Sequence, residues 1–213
     1  MLTGPVLGPM VICGVCFTKQ KLEFLQEIGV KDSKKLSPTK RHELAKVIIE
    51  NCHSHKIKII DVKEIDTREN HRISMNRLEV LKFADLINEL KPSVVILDAA
   101  DVKEERFGAS IKPLLDYSPK KIISKHKADD IFPIVSASSI IAKNTRDYLI
   151  STLKEKYGDF GSGYPSDMKT IKFLRDWIID HKSPPFFARK TWNTTKRLLD
   201  EIVYNKKIND YYG

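Results

Sequence analysis

The chain has 213 residues, 41% of them hydrophobic, and a formal net charge of +9. That is enough apolar content for a real core in one large domain, or in a domain with an appendage. The positive excess favours an anionic partner, nucleic acid first and an acidic membrane surface second, unless the chain is simply lysine-rich. No apolar run approaches the roughly 20 residues that span a bilayer. The first residues also lack the charged start and long apolar run of a signal peptide.

A strand is predicted from about Gly8 to Phe17 and a short amphipathic helix from Lys19 to Ile28. Cys13 and Cys16 have CxxC spacing, but on a strand they point to opposite faces and do not share a metal. The three cysteines of the chain fit a reducing cytoplasm. Gly29 to Leu36 reads as a polar loop. Ser37 and Pro38 then supply an N-cap and a proline at the first helical position of a helix reaching about Cys52. His55 to Val62 is mostly an alternating strand, and a helix follows from about Ser74 to Leu90. Val94-Val95-Ile96-Leu97 is short and continuously apolar, the pattern of a strand buried on both faces in a parallel sheet. A short helix near Ile111 to Leu115 and a strand near Lys121 to Ser124 come next. A long helix is predicted from about Asp130 to Tyr157, ended by Gly158. Gly161 to Asp167 is a turn-rich break. Helices from about Ser166 to Asp180 and from Ala188 to Tyr204 close the chain. Strands early and helices late point to an α/β core with a helical C-terminal extension, divided here as 1–157 and 158–213.

Asp98 ends the buried strand, where ligands gather in open α/β sheets; alternatively it caps a following turn. Asp101 is expected to face solvent or to act as a cap. Extending the register of the long helix back at about 100° per residue puts Asp129, Ser136, Ser139, Lys143 and Arg146 in one arc of roughly 100°. A carboxylate at one end with hydroxyls and cations along the same stripe suits a metal beside a phosphate backbone. The plainer reading is an amphipathic helix with a wet side. Asp32-Ser33-Lys34-Lys35 either grips phosphate or is a solvated turn. Tyr164, between Gly163 and Pro165, either stacks on a sugar or base or packs locally. His126 either assists acid–base chemistry or is structural.

The chain resembles the ribonuclease HII family, type 2 ribonuclease H, in its archaeal branch. The matching pieces run in order: Gly4 to Pro9, Lys31 to Leu36, Leu97 to Asp101, His126 to Asp129, Val135 to Asp147, Gly161 to Asp167, and Arg189 to Trp192. The resemblance implies a ribonuclease H-like mixed sheet flanked by helices. It implies an endoribonuclease that cuts the RNA strand of RNA–DNA hybrids and cuts at ribonucleotides embedded in duplex DNA. Its site would use four carboxylates and Mn2+ or Mg2+. Asp98 and Asp129 match the third and fourth of these, as catalytic and metal residues. Tyr164 matches the tyrosine that meets deoxyribose at the RNA–DNA junction. Ser33, Lys34, Ser139, Lys143 and Arg146 are expected to contact phosphates, and Gly4 to contact substrate. A monomer without a membrane partner is expected. A replication clamp is a further candidate partner, since the tail from Lys206 ends in Tyr211 and Tyr212; otherwise the tail is simply loose.

Members of that family begin with a strand ending in Asp-Glu-Ala-Gly-Arg-Gly-Pro. Gly4 and Pro5 align with the end of it, whereas Met1, Leu2 and Thr3 stand where Ala, Gly and Arg are expected. The first two carboxylates and the central first strand are therefore expected to belong ahead of Leu2. The 213-residue text as written is expected to be inactive and poorly stable, since four to six strand side chains at about 1.5–3 kcal/mol each amount to roughly 10 kcal/mol. The alternatives are a non-catalytic paralogue that binds hybrids and, more remotely, another two-metal nuclease such as a resolvase.

Overall fold

A computed structural model describes residues 4–30 and 36–204. Its elements are β1 (Met10–Cys16), α1 (Leu22–Glu27), α2 (Pro38–Asn51), β2 (Ser54–Ile60), α3 (Val62–Thr67), α4 (Met75–Leu90), β3 (Val94–Asp98), α5 (Glu104–Ile111), β4 (Lys121–Lys125), α6 (Ala128–Ile131), α7 (Pro133–Tyr157), α8 (Met168–His181) and α9 (Asn193–Leu199). The class is α/β, with helices flanking few strands. Among the described residues the strands pair as two two-stranded sheets, β1 with β2 and β3 with β4.

Local chemistry explains most boundaries. The Ser37 hydroxyl accepts from Lys40 N at 3.3 Å and Pro38 opens α2; Ser74 accepts from Arg77 N at 3.2 Å to open α4. Each cap satisfies an amide that the first helical turn leaves without a partner. Asp61 does the same for Glu64 N at 2.7 Å. It thereby starts α3, a helix the sequence reading misses because it runs straight on from the apolar strand β2. The expected helix at Ile111 lies earlier, at Glu104–Ile111, followed by a 3-10 turn. The expected helix at Ala188 starts only at Asn193, because Ala188 forms an antiparallel bridge with Leu7 instead.

Two further expectations are corrected. β3 is not buried on both faces: Val95 and Leu97 are buried while Val94 is 47% exposed. Its inward face packs on Val80, Ala84 and Ile87 of α4 and on Phe107 and Ile111 of α5. The long helix does not start at Asp130. Pro133 lacks an amide proton and disfavours helical backbone at the residue before it. Phe132 accordingly takes an extended conformation that separates the four-residue α6 from α7.

The chain divides into two compact units that interleave along the sequence. One comprises Met1–Met10, Ile60–Arg72 and Tyr148–Gly213, the other Val11–Ile59 and Ile73–Asp147. In the first unit Val6 and Leu7 are buried among Ile150, Phe160, Leu174, Ile178 and Phe187. Phe160 and Phe187 lie 5.5 Å apart between ring centroids. In the second unit Ala137, Ile140 and Ile141 of α7 are buried with Leu25, Ala45 and Ile48. Each fully buried Leu, Ile or Phe is worth about 1.5–3 kcal/mol, so these clusters dominate the stability of their units.

Candidate active site

In the second unit, β3 and β4 run parallel, with Asp98 opposite Lys125. The Ala99 amide donates to the Lys125 carbonyl at 2.9 Å, extending the pairing past the end of the strand. The chain leaving β4 turns at Lys127, which has left-handed backbone with φ 52° and ψ 40°. That turn aims the start of α6 at β3, and the Ala128 amide donates to Asp98 Oδ1 at 3.1 Å. Asp98 therefore accepts from the first residue of a helix that starts 30 residues on. Asp129 is the next residue along. The two expected metal carboxylates thus sit on adjoining elements joined by one hydrogen bond.

Behind them the Ser136 hydroxyl, fully buried, donates to the Asp129 carbonyl. Ser136 is therefore a structural tie between α7 and α6, and the expected stripe loses its first two members: Asp129 is off the register of α7, and Ser136 is buried. Ser139, Lys143 and Arg146 remain on α7, at spacings of four and three that share one helix face. Lys143 is exposed, and Ser139 and Arg146 are half-buried. Burial, with Arg41 next and Arg146 after it, draws the Lys143 ammonium below the ordinary lysine value, while Asp147 opposes the shift.

Other groups at this end are already engaged. His126 Nε2 lies 3.2 Å from the Val102 carbonyl, and the His126 amide donates to Glu104 at 3.0 Å. Asp101 does not face solvent. It is buried, caps Lys103 N at 3.0 Å, and accepts from Arg106 Nε at 2.8 Å and Asn76 at 3.0 Å. The Arg106 hydrogen bonds, then the Lys103 amide, hold its carboxyl far below the usual range.

The first unit contains Gly4 and Tyr164. Gly163 is buried; its amide donates to Thr170 Oγ1 at 3.0 Å, and its carbonyl accepts from Val6 and Leu7 amides at 2.8 and 3.1 Å. Tyr164 projects from this fixed point, 38% exposed. Gly161 has φ +75°, and a Cβ there would come 2.4 Å from Asp167 Oδ2. The Asp167 carboxylate accepts from Ser162 N at 2.6 Å and Lys169 N at 3.0 Å. These bonds, the Ser162 amide foremost, lower its pKa to about 2. The Gly4 carbonyl accepts from Trp192 Nε1 at 3.2 Å. The guanidinium groups of Arg189 and Arg68 lie 4.8 and 5.3 Å from the centre of the Trp192 ring. Asp66 takes the Lys190 and Thr191 amides at 2.9 and 3.1 Å.

Asp66, Arg68 and Trp192 escape the sequence reading as supports of Gly4; only the Arg189 to Trp192 motif hints at them. Ser33 and Lys34, residues 1–3 and the tail with Tyr211 and Tyr212 lie outside the described residues. Among the described residues no group of three or more His, Cys, Asp or Glu is placed to hold a metal. Asp98 and Asp129 both offer carboxylate oxygens, a donor type that suits hard divalent cations.

The comparisons with known proteins agree with one another. The family model for ribonuclease HII matches residues 3–195. A ribonuclease HII of Methanocella arvoryzae is 46% identical over 201 residues, 94% of this chain and 89% of that one. The crystal structure of ribonuclease H2 from Pyrococcus horikoshii superposes with a TM-score of 0.88 at 42% identity, over 93% of each chain. The ribonuclease HII in the PCNA complex from Archaeoglobus fulgidus gives 0.82 at 36% identity, over 92% of this chain and 91% of that one.

Proposed function

The chain belongs to the ribonuclease HII family, endoribonucleases acting on RNA–DNA hybrids, and from that premise we propose the role of each candidate residue. Asp98 and Asp129 are the catalytic carboxylates. They hold Mn2+ or Mg2+ through hard oxygen donors. Such a cation, when bound, activates a water and stabilises the leaving oxygen. The observation that carries this reading is the Ala128–Asp98 hydrogen bond, which sets the two carboxylates on adjoining elements. Ser139, Lys143 and Arg146 contact phosphates of the duplex. Tyr164 meets the sugar at an RNA–DNA junction, on a loop whose neighbours Gly161 and Gly163 are fixed by hydrogen bonds and packing, and Gly4 contacts substrate through backbone that Trp192 holds. The substrates proposed are hybrids and ribonucleotide-containing duplex DNA. The proposed working state is a cytoplasmic monomer, and a clamp partner is proposed from the likeness to the Archaeoglobus protein solved with PCNA. No described helix is long and apolar enough to cross a membrane.

The test is RNA-strand cleavage of a labelled hybrid with Mn2+ or Mg2+. Asp98→Asn and Asp129→Asn should each lower the rate by orders of magnitude, because neutral amides bind hard cations weakly. Near-normal turnover in both variants would place the chemistry elsewhere. Salt-dependent hybrid binding with no cleavage in either metal would favour the non-catalytic hybrid-binding paralogue.

A further inference from the structure

A carboxylate beside phosphate-facing cations weakens their pull on phosphate, yet Asp147 stands among two of them and one buried arginine. Lys143 is one helical turn before it on the same face of α7. Arg146 Nη1 lies 3.9 Å from Asp147 Oδ1. Arg41, from α2, pairs with Asp147 Oδ2. Each oxygen of one carboxylate thus faces a different arginine. Arg41 is not a surface residue: it is only 5% exposed, and its other terminal nitrogen donates to the Leu36 carbonyl at 2.8 Å. A guanidinium that deep needs a counter-charge, and removing it strands the cation.

We propose that Asp147 and Arg41 are positioning residues for phosphate recognition: their ion pair ties the start of α2 to α7 and fixes where Arg146 and Lys143 present their charge. The proposal rests on the reading of that face as a phosphate contact. Three observations support it. The pair joins two elements 106 residues apart, so it fixes tertiary placement rather than helix propensity. Arg41 is anchored at both ends, to Leu36 and to Asp147, which makes it a brace and not a mobile ligand. Asp147 also offsets the mutual repulsion of Arg41, Lys143 and Arg146.

The prediction has a sign that simple electrostatics does not share. Deleting a negative charge next to phosphate-binding cations should tighten binding; losing a positioning residue should loosen it. The experiment is titration of a fluorescent RNA–DNA hybrid with the 213-residue protein, without divalent metal, at several KCl concentrations, with a thermal melt of each variant. Asp147→Asn should bind about tenfold more weakly, the scale of one charge-assisted contact. Asp147→Glu should recover most of the loss. Arg41→Lys keeps the charge but not the two-ended brace, and should also weaken binding several-fold. Asp147→Asn binding as tightly as the parent, or more tightly, overturns the proposal. If Asp147→Asn does not fold, Arg41→Lys decides, and parental affinity in that variant overturns it equally. Lys143→Ala separates the two levels: parental affinity there would sink the phosphate reading itself, whereas a loss there with parental affinity in Asp147→Asn and Arg41→Lys would sink only the positioning role.

Discussion

Thr170 offers a sharp test of how the Tyr164 loop is held. Its hydroxyl is fully buried, donates to the Phe160 carbonyl at 2.8 Å and accepts from the Gly163 amide at 3.0 Å. Valine has nearly the same shape but neither function. Thr170→Val therefore leaves one buried carbonyl and one buried amide without partners, at about 1–3 kcal/mol each. The extra buried methyl returns about 1 kcal/mol, so the net loss should be about 1–5 kcal/mol. For a chain of this length each kcal/mol moves Tm by about 2–4 °C, giving a drop of about 2–20 °C. Thr170→Ser keeps both hydrogen bonds and loses one methyl, so it should cost only about 1 kcal/mol. Paired denaturant titrations and thermal melts of the two variants make the measurement. If valine is tolerated as well as serine, the hydroxyl does not hold the loop and the reasoning fails.

Loss of the ring in Tyr164→Ala should reduce selection of an RNA–DNA junction more than affinity for duplex in general, read by competition between junction-bearing and plain duplexes. The folded pKa of Asp167, about 2, lies below its ordinary value of 3.8. Its contribution to stability is therefore complete above about pH 4 and is lost as pH falls towards 2; an amide-shift titration of Ser162 and Lys169 with its midpoint near 4 would contradict this. Burial, with a smaller push from Cys52, raises the Cys13 thiol to about 12, so native protein at pH 8 should alkylate at Cys16 and Cys52 well before Cys13, as mass spectrometry will show. Lys127→Gly relieves a left-handed backbone costing about 1–2 kcal/mol but adds about 0.5–1 kcal/mol of chain entropy. Its melt should therefore be unchanged or slightly higher, and a marked drop would mean that the lysine side chain itself holds the turn.

What could be read from the sequence was local. The apolar run ending in Asp98 marked a strand with a carboxylate at its tip, and the caps at Ser37 and Ser74 opened α2 and α4 where their side chains dictate. Asp61 shows the limit of such signals: the same capping chemistry went unread because an apolar strand precedes it without a break. The stripe along α7 lost Asp129 for a reason also present in the sequence. Pro133 interrupts the helix, so a register extended back through it cannot place Asp129. What no local pattern could supply were the long connections. Trp192 reaches Gly4 across 188 residues, and Asp66 reaches Thr191 across 125. Nothing near either end of those bonds announces the other.

The same distinction explains how the two aspartates come to stand on adjoining elements. Asp98 needs only a strand end, which β3 provides. Asp129 needs a turn that reverses the chain within three residues of β4, and a left-handed residue achieves this at the lowest cost in length. Lys127 takes that conformation without being glycine, so the strain must be offset by what the turn secures. The Ala128–Asp98 bond and the buried Ser136 tie both depend on that turn. Each also constrains a carboxylate or its immediate neighbour. The backbone at this end of the sheet therefore fixes where Asp98 and Asp129 stand, which fits their proposed role as the catalytic carboxylates.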